Sequence, residues 1–210
     1  MIEYPSIINS SKAPRQSCVA FDKLDGSNFR AKYTVKQEWH VFGTRTQLID
    51  ETTPYWCEMV ELFKRNIATP LKSYFKGNKD YGDFREIVVF CEFLGENSFA
   101  GRHEEEPHKL VMFDVMVGHK QRKFISPRKF VKDFSNVVEI PRVVYEGNLN
   151  EQFIKDVREN KYNLKEGVVC KGTDSRGDFC GGTWMCKIKT QEYLDKLKAV
   201  FGKDWEQYAE

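Results

Sequence analysis

The sequence lacks several features that mark specialised classes of protein. None of its six cysteines lies in a C-x-x-C pair, which argues against a zinc ribbon. No apolar run approaches the ~20 residues that a membrane span needs, and the first residues contain no hydrophobic signal core. We therefore expect a cytoplasmic protein with reduced thiols and no membrane contact.

A large net charge of either sign is also missing. The formal net charge is +2 over 210 residues, so binding to nucleic acid would need a local basic patch. The chain is long enough to bury its own core, and no repeat, low-complexity tract or linker rich in Gly, Ser or Pro divides it. We expect one domain over residues 1–210, with 191–210 as a C-terminal helical segment.

Patterns typical of strands dominate what is present. Apolar and alternating runs predict strands at 16–21, 29–34, 39–43, 86–93, 109–117, 142–145, 166–171 and 183–188. Helical spacing predicts helices at 55–67, which Pro70 would close, at 150–160, and at 194–208, where Gly202 interrupts the pattern. The expected fold class is α+β, with antiparallel sheets flanked by helices.

The most informative segment is Lys23-Leu24-Asp25-Gly26-Ser27-Asn28-Phe29. Gly26 and Ser27 favour a turn, so Lys23 should lie at a strand end beside it. A lysine with its ordinary pKa of about 10.4 is protonated at pH 7 and cannot attack a phosphate. Neighbouring cations lower such a pKa, and a fall of about three pH units corresponds to roughly 4 kcal/mol.

Two further segments complete this pattern. Lys187 and Lys189 alternate with Ile188, so a strand would direct both lysines to one face. If Lys23 lies on that face too, the three lysines predict a covalent reaction. Lys23 would attack the α-phosphate of a nucleoside triphosphate and become attached to the nucleotide. The alternative for Lys187 and Lys189 is a solvated strand face.

Glu166 stands at the start of the apolar strand that contains Val168 and Val169. A carboxylate at this position suits Mg²⁺, which prefers oxygen ligands, and the metal would shield phosphate charge and orient the leaving group. The alternative is a surface glutamate in the turn formed with Lys165 and Gly167. Lys171, on the same strand, is a weaker candidate for a phosphate contact.

Five segments together resemble the covalent nucleotidyltransferase superfamily of DNA ligases, RNA ligases and mRNA capping enzymes, and more closely the RNA ligase 2 branch. They are residues 23–29, 88–95, 109–115, 166–171 and 184–189, in the order and spacing of that family. The resemblance covers roughly residues 15–190 and is specific as a set, although each motif alone is weak. It implies the nucleotidyltransferase (ATP-grasp-like ligase adenylation) fold.

The resemblance implies a role for each matching residue. Lys23 would form a lysyl–AMP intermediate with ATP, Lys187 and Lys189 would hold the α-phosphate, and Glu166 would bind the nucleotide through Mg²⁺ or Mn²⁺.

The same resemblance implies further nucleotide contacts. Glu92 would accept hydrogen bonds from the ribose, Phe113 would stack on adenine, and Asn28 matches the asparagine that RNA ligases carry in this motif. Arg45 would contact the nucleotide phosphate or the acceptor end. The residues themselves support Glu92 best, because a carboxylate inside an apolar run is costly unless it is paired or functional. Phe113 is one of 16 phenylalanines, whose default place is the core.

The implied function is an ATP-dependent RNA ligase that joins 3′-hydroxyl and 5′-phosphate ends through lysyl–AMP and AMP-capped strand intermediates. We expect a monomer that acts on nicked duplexes or RNA ends, without an OB-fold or other appended domain. Three alternatives stay open: an ATP-dependent DNA ligase, a GTP-using capping-type guanylyltransferase, and a non-catalytic nucleic-acid-binding relic. Asp25 stands where the RNA ligase 2 branch often has histidine, so the choice of polynucleotide is less determined than the chemistry.

Basic residues around 118–132 and in the first motif are candidates for nucleic-acid contacts. They are Arg30, Lys120, Arg122, Lys123, Arg128 and Lys129. Lys72, Lys76 and Lys79 form another basic group, and the alternative for the 118–132 segment is a solvated loop. His103 and His108 have a spacing that fits no standard metal site.

Overall fold

The computed structural model describes residues 3–96, 103, 106–119, 121–173, 177–178 and 184–205. The strands in these ranges are β1 (Ile8–Asn9), β2 (Ser17–Lys23), β3 (Ser27–Thr34), β4 (Glu38–Gly43), β5 (Leu48–Ile49), β6 (Glu86–Leu94), β7 (Lys109–Gly118), β8 (Arg122–Phe124), β9 (Val143–Asn148), β10 (Gly167–Gly172) and β11 (Met185–Lys189). The α-helices are α1 (Cys57–Asn66), α2 (Ala68–Gly77), α3 (Pro127–Phe134), α4 (Glu151–Arg158) and α5 (Gln191–Phe201).

The expected α+β class with antiparallel sheets is confirmed. The chain forms two compact units, and each unit draws on several segments. The first unit comprises Met1–Tyr4, Asp25–Ile140 and Arg176–Gly182, and the second comprises Pro5–Leu24, Pro141–Ser175 and Thr183–Glu210. The single domain over 1–210 stays a prediction. No helix in the described part of the chain is long and apolar enough to span a membrane.

The second unit contains a sheet of strand order β1-β11-β10-β2-β9, in which β10 pairs antiparallel with both β2 and β11. One face of this sheet packs on α4. Its buried core consists of Cys18, Ala20, Val168, Cys170, Cys186 and Ile188 from the strands, with Phe153, Ile154 and Val157 from the helix. Because side chains alternate along a strand, the residues between these core positions project to the opposite face of the sheet.

The first unit contains the other sheet, of order β5-β4-β3-β6-β7-β8. Phe29 and Tyr33 of β3 are buried on one face, where their rings contact Phe63 of α1 and Phe75 of α2. The alternation along β3 therefore places Asn28, Arg30 and Lys32 together on the other face. This polar stripe lies on the strand that begins within the lysine motif.

All eight predicted strands are present, with bounds that differ by a few residues at most. The prediction that Pro70 closes a helix is wrong. α1 ends at Asn66, and Pro70 lies in the first turn of α2. Proline is tolerated there because the N–H groups of a first turn have no acceptor within the helix.

The basic segment at 127–132 is a helix, α3, and not a loop. Ser126 caps its N-terminus by accepting a hydrogen bond from the Lys129 N–H, and Pro127 stands in the first turn. The C-terminal stripe forms α5, which begins after the cap residue Thr190 and ends at Gly202 with φ 54°. Residues 206–210, which the prediction included in this segment, lie outside the described ranges.

Candidate active site

Lys23 is the last residue of β2 and makes an ion pair with Glu166. Its Nζ donates a hydrogen bond to Glu166 Oε2 at 2.7 Å. The carboxylate side chain is only 3% exposed, whereas the lysine side chain is 23% exposed. Lys23 lies directly opposite Gly167 in the sheet, and Glu166 precedes that glycine. The strand register therefore brings together two residues that are distant in the sequence.

Lys189 approaches the same carboxylate from the other side of β10. Its Nζ lies 3.3 Å from Glu166 Oε1, and it lies 4.8 Å from the centroid of the Tyr193 ring. Lys189 is also directly opposite Gly167, on β11. A buried carboxylate is costly unless it is paired, and here the pairing comes from two ammonium groups.

Gly167 makes this arrangement possible because it lacks a Cβ. A Cβ there would collide with the Ile188 carbonyl and would crowd the Lys189 Cα. The Thr190 N–H also donates to the Glu166 carbonyl at 2.9 Å. The close approach of β10 and β11 thus fixes the backbone on both sides of the carboxylate.

Lys187 lies on the same face of the sheet as Lys23 and Lys189. It is opposite Val169, which is opposite Phe21, and directly opposed residues project to the same face. Lys171 lies farther along this face, with its Nζ 5.3 Å from the centroid of the Phe21 ring. The face therefore carries Lys23, Lys171, Lys187 and Lys189, and two of these lysines, Lys23 and Lys189, are paired with Glu166.

The carboxylate oxygens of Glu166 are the kind of ligand that Mg²⁺ prefers. Across the described ranges, no group of three or more His, Cys, Asp or Glu side chains could hold a metal ion. That Mg²⁺ or Mn²⁺ binds through this carboxylate, together with the phosphate oxygens and water that Mg²⁺ commonly keeps, stays a prediction. Such an ion would replace one or both ammonium groups as the partner of Glu166.

The predicted nucleotide contacts Asn28 and Glu92 lie in the first unit, directly opposite each other on β3 and β6. The Gly26 N–H donates to Glu92 Oε1 at 3.2 Å. A Cβ on Gly26 would collide with the Phe93 carbonyl, so glycine permits the turn to lie against β6. The turn of the lysine motif is thereby attached to the strand that carries Glu92.

Phe113 lies on β7, between residues that pair with Cys91 and Phe90, at an irregularity in the register. Its ring meets the Tyr4 ring edge-on, at 5.0 Å between centroids and 90° between planes. Arg45 is exposed in the turn between β4 and β5, which the Thr44 N–H closes by donating to the Gln47 carbonyl at 2.9 Å. The roles of these residues toward a nucleotide stay predictions.

Sequence reasoning missed Tyr4. Its hydroxyl donates to Asp114 Oδ2 at 2.7 Å, and both side chains are buried. Burial raises the pKa of the Tyr4 phenol well above its usual value, and the neighbouring Asp114 carboxylate acts in the same direction. The two residues are 110 positions apart, so no local sequence pattern predicts their contact.

The six predicted nucleic-acid contacts are in different environments. Lys123 and Arg128 are exposed. Arg122 is also exposed, and its guanidinium donates to Glu86. Lys120 lies outside the described residues. Arg30 is buried at 2% exposure.

Lys129 is not a surface cation. It is buried at 4% exposure, and its ammonium contacts Asp80 at 2.6 Å and Asp133 at 3.0 Å. Burial opposes the charge on Lys129, but hydrogen bonds to the two aspartates outweigh it and raise the pKa. We therefore leave Lys129 out of the candidate contact surface.

The fold and the lysine cluster are those expected for covalent nucleotidyltransferases. The profile of the RNA ligase family matches residues 16–189. The chain belongs to the RNA ligase family. No curated protein matches it.

Several solved structures have a similar fold. The Naegleria gruberi RNA ligase with PPi has 19% sequence identity and a TM-score of 0.66, covering 95% of this chain and 58% of that one. A mutant of the same ligase with ATP and Mn has 18% identity and a TM-score of 0.63, covering 89% of this chain and 53% of that one. An archaeal ATP-dependent RNA ligase has 15% identity and a TM-score of 0.65, and the match covers 96% of this chain and 52% of that one. The chain thus spans little more than half the length of these proteins.

Proposed function

We propose that the protein is an ATP-dependent RNA ligase that joins 3′-hydroxyl and 5′-phosphate ends. This proposal rests on the ion-paired cluster of Lys23, Glu166 and Lys189, with Lys187 on the same sheet face. The cluster occurs in a chain of the RNA ligase family. The names of the similar structures support ATP as substrate, since members of that group were solved with ATP and with PPi.

In the first step, the Lys23 ammonium releases a proton to solvent, and the Nζ of the resulting amine attacks the α-phosphorus of ATP and gives up a second proton to solvent. A P–N bond forms, the bond between the α- and β-phosphates breaks, and pyrophosphate leaves. In the second step, an oxygen of the RNA 5′-phosphate attacks the phosphorus of lysyl–AMP. The P–N bond breaks, AMP is joined to the strand end, and the lysine nitrogen takes up a proton.

In the third step, the 3′-hydroxyl oxygen of the other strand attacks the 5′-phosphate phosphorus. The hydroxyl proton is lost, a phosphodiester forms, and AMP leaves. Chemistry of this kind depends mainly on positioning and on neutralising phosphate charge. Lysines and a carboxylate therefore suffice as the protein's contribution.

Each residue of the cluster has a distinct task in this proposal. Lys187 and Lys189 neutralise the charge that develops on the α-phosphate. Glu166 holds Mg²⁺ or Mn²⁺, which when bound would supply further charge neutralisation. Glu166 is also ion-paired with Lys23, and this pair has to loosen before the amine can attack.

Incubation of the protein with labelled ATP or GTP and Mg²⁺ or Mn²⁺ tests the first step. We expect covalent labelling from ATP, with no labelling of the Lys23→Ala variant. Labelling from GTP alone would support a capping-type transferase instead. If no nucleotide labels the wild-type protein, the chain is a non-catalytic relic and the proposal is wrong.

Addition of nicked duplexes to the labelled protein tests the choice of polynucleotide. We expect faster sealing when the strand that carries the 3′-hydroxyl is RNA than when both strands at the nick are DNA. Equal rates would favour the DNA ligase alternative. The exposed cations Arg122, Lys123 and Arg128 are the described candidates for holding the strands, and a monomeric state and a cytoplasmic location belong to the same proposal.

A further inference from the structure

Arg30 occupies an unusual position on β3. It lies two residues after Asn28 on the same strand face, opposite Phe90 on β6 and Gly43 on β4. Its side chain is buried, with 2% of the residue exposed. Buried guanidinium groups are normally paired with carboxylates or other acceptors.

Two nitrogen atoms of Arg30, Nε and Nη1, have no such partner in the described part of the chain. Among the residues that the structure describes, the buried Nε and Nη1 atoms make no hydrogen bond, and neither does the buried Oδ1 of Asn28. More than nine in ten buried polar groups in folded proteins find a partner, so three unpaired atoms on one strand face require an explanation. Burial lowers the pKa of Arg30, and the charge of Glu3 opposes this effect.

The carboxylates on neighbouring strands are already engaged. Glu92 accepts the Gly26 N–H at 3.2 Å. Asp114 accepts the Tyr4 hydroxyl at 2.7 Å and the Val115 N–H at 2.9 Å. Arg30 therefore lies on a face that also carries negative charge, yet none of these groups satisfies its Nε and Nη1.

We infer that Arg30 binds the nucleoside half of the bound nucleotide, a role that rests on the proposed function. The ligand has to offer acceptors to Arg30 and a donor to Asn28 Oδ1. Ribose hydroxyls and the adenine ring with its amino group offer both, whereas an ionised triphosphate offers acceptors only. A neutral nucleoside also adds no further negative charge beside Glu92 and Asp114.

The Arg30→Met variant tests this inference by two measurements with opposite expectations. Methionine keeps an unbranched side chain but removes the unpaired donors, so thermal unfolding without ligand should be unchanged or should occur at a higher temperature. Binding of α,β-methylene-ATP, measured by calorimetry, should weaken by about 10-fold or more, as expected when a charge-assisted hydrogen bond is lost. Binding of inorganic tripolyphosphate should stay the same.

Lys32→Met is the matched control. Lys32 lies two residues farther along the same strand face, but its ammonium is paired with Glu86 at 2.9 Å. This variant should bind α,β-methylene-ATP as the wild type does and should unfold at a slightly lower temperature. If Arg30→Met does not fold, Arg30→Gln replaces it in the same measurements.

Two results would overturn the inference. Unchanged affinity of Arg30→Met for α,β-methylene-ATP would mean that Arg30 does not contact the nucleotide. An equal loss of affinity for tripolyphosphate would assign Arg30 to the phosphates rather than the nucleoside. These results are distinguishable from failure of the proposed function, which shows as a wild-type protein that binds nucleotide but never becomes labelled.

Discussion

At the scale of single residues, Glu166 is the centre of the site. Its carboxylate is almost fully enclosed and lies between the ammonium groups of Lys23 and Lys189. It could act only as a counter-ion that keeps Lys23 charged, or it could also bind the metal that the reaction needs. The two possibilities give opposite expectations for a neutral replacement.

The Glu166→Gln variant separates them. If Glu166 binds the metal, the variant should be labelled by ATP about 100-fold more slowly or worse, the scale seen when one stabilising group is removed from an active site. If Glu166 were only a counter-ion, the neutral amide would favour the uncharged amine and labelling would be faster. Single-turnover labelling at saturating ATP and Mg²⁺ measures the difference.

Lys187 is the second residue whose role can be tested alone. Lys187→Ala should lower the labelling rate by about 10²- to 10³-fold, because it removes a cation that stabilises charge in the transition state. Lys196→Ala is the control, since that lysine side chain is 65% exposed and pairs only with Glu192 among the contacts described here. A Lys187→Ala protein that labels at the control rate would remove this lysine from the mechanism.

The sequence was sufficient to find the cluster but not the environment of every residue in it. Lys23, Glu166, Lys187 and Lys189 could be predicted because strand alternation and a family motif both point to them. The ion pair of Lys129 with Asp80 could not, because Asp80 is distant in the sequence and pairing of this kind depends on tertiary packing. The burial of Arg30 could not be predicted either, since arginine is mostly an exposed residue.

At the scale of secondary structure, β10 organises the second unit because it pairs with both β2 and β11. Gly167→Ala should damage this arrangement, because the added methyl group collides with the Ile188 carbonyl. We expect a loss of roughly 1–3 kcal/mol in the free energy of unfolding and a slower labelling reaction. Urea denaturation and labelling kinetics measure both effects.

The control for this prediction is Gly77→Ala at the end of α2, where a Cβ meets nothing within 4 Å. It should leave stability and labelling close to those of the wild type. A Gly167→Ala protein with unchanged stability would show that β10 and β11 can separate without cost.

Helices were predicted less completely than strands. The strands are regular and apolar, so their pattern is strong even in a single sequence. No helix was predicted over the segment of α3, because its charged residues mask a short buried stripe that includes Phe130 and Phe134. The break between α1 and α2 was missed because Pro70 is equally compatible with the first turn of a new helix and with the end of an old one.

At the scale of the whole molecule, acid should destabilise the fold partly through Glu86. Its side chain ties β6 to the neighbouring strand β3 through Lys32, and it reaches across β7 to Arg122 on β8. The hydrogen bond from Arg122 is the main cause of a lowered Glu86 pKa, which burial opposes and Lys32 supports. A carboxyl group with a folded-state pKa below its unfolded value of about 4.3 stabilises the protein above that pH and loses this contribution as pH falls through the folded-state pKa.

Glu86→Gln should therefore reduce the dependence of stability on pH. Between pH 6 and pH 3, the free energy of unfolding should fall less in the variant than in the wild type, because the amide has no proton to bind. Urea denaturation at the two pH values gives this comparison. Equal losses in both proteins would show that other carboxyl groups carry the acid sensitivity.

The position of β2 in its sheet has a consequence for biosynthesis. This strand lies between β9 and β10, and residues 143–172, which form both neighbours, leave the ribosome long after Lys23 does. A nascent chain therefore carries Lys23 on a strand whose two edges are open, and such edges promote aggregation. Translation that stops before residue 143 yields a fragment that has Lys23 but neither partner strand of β2.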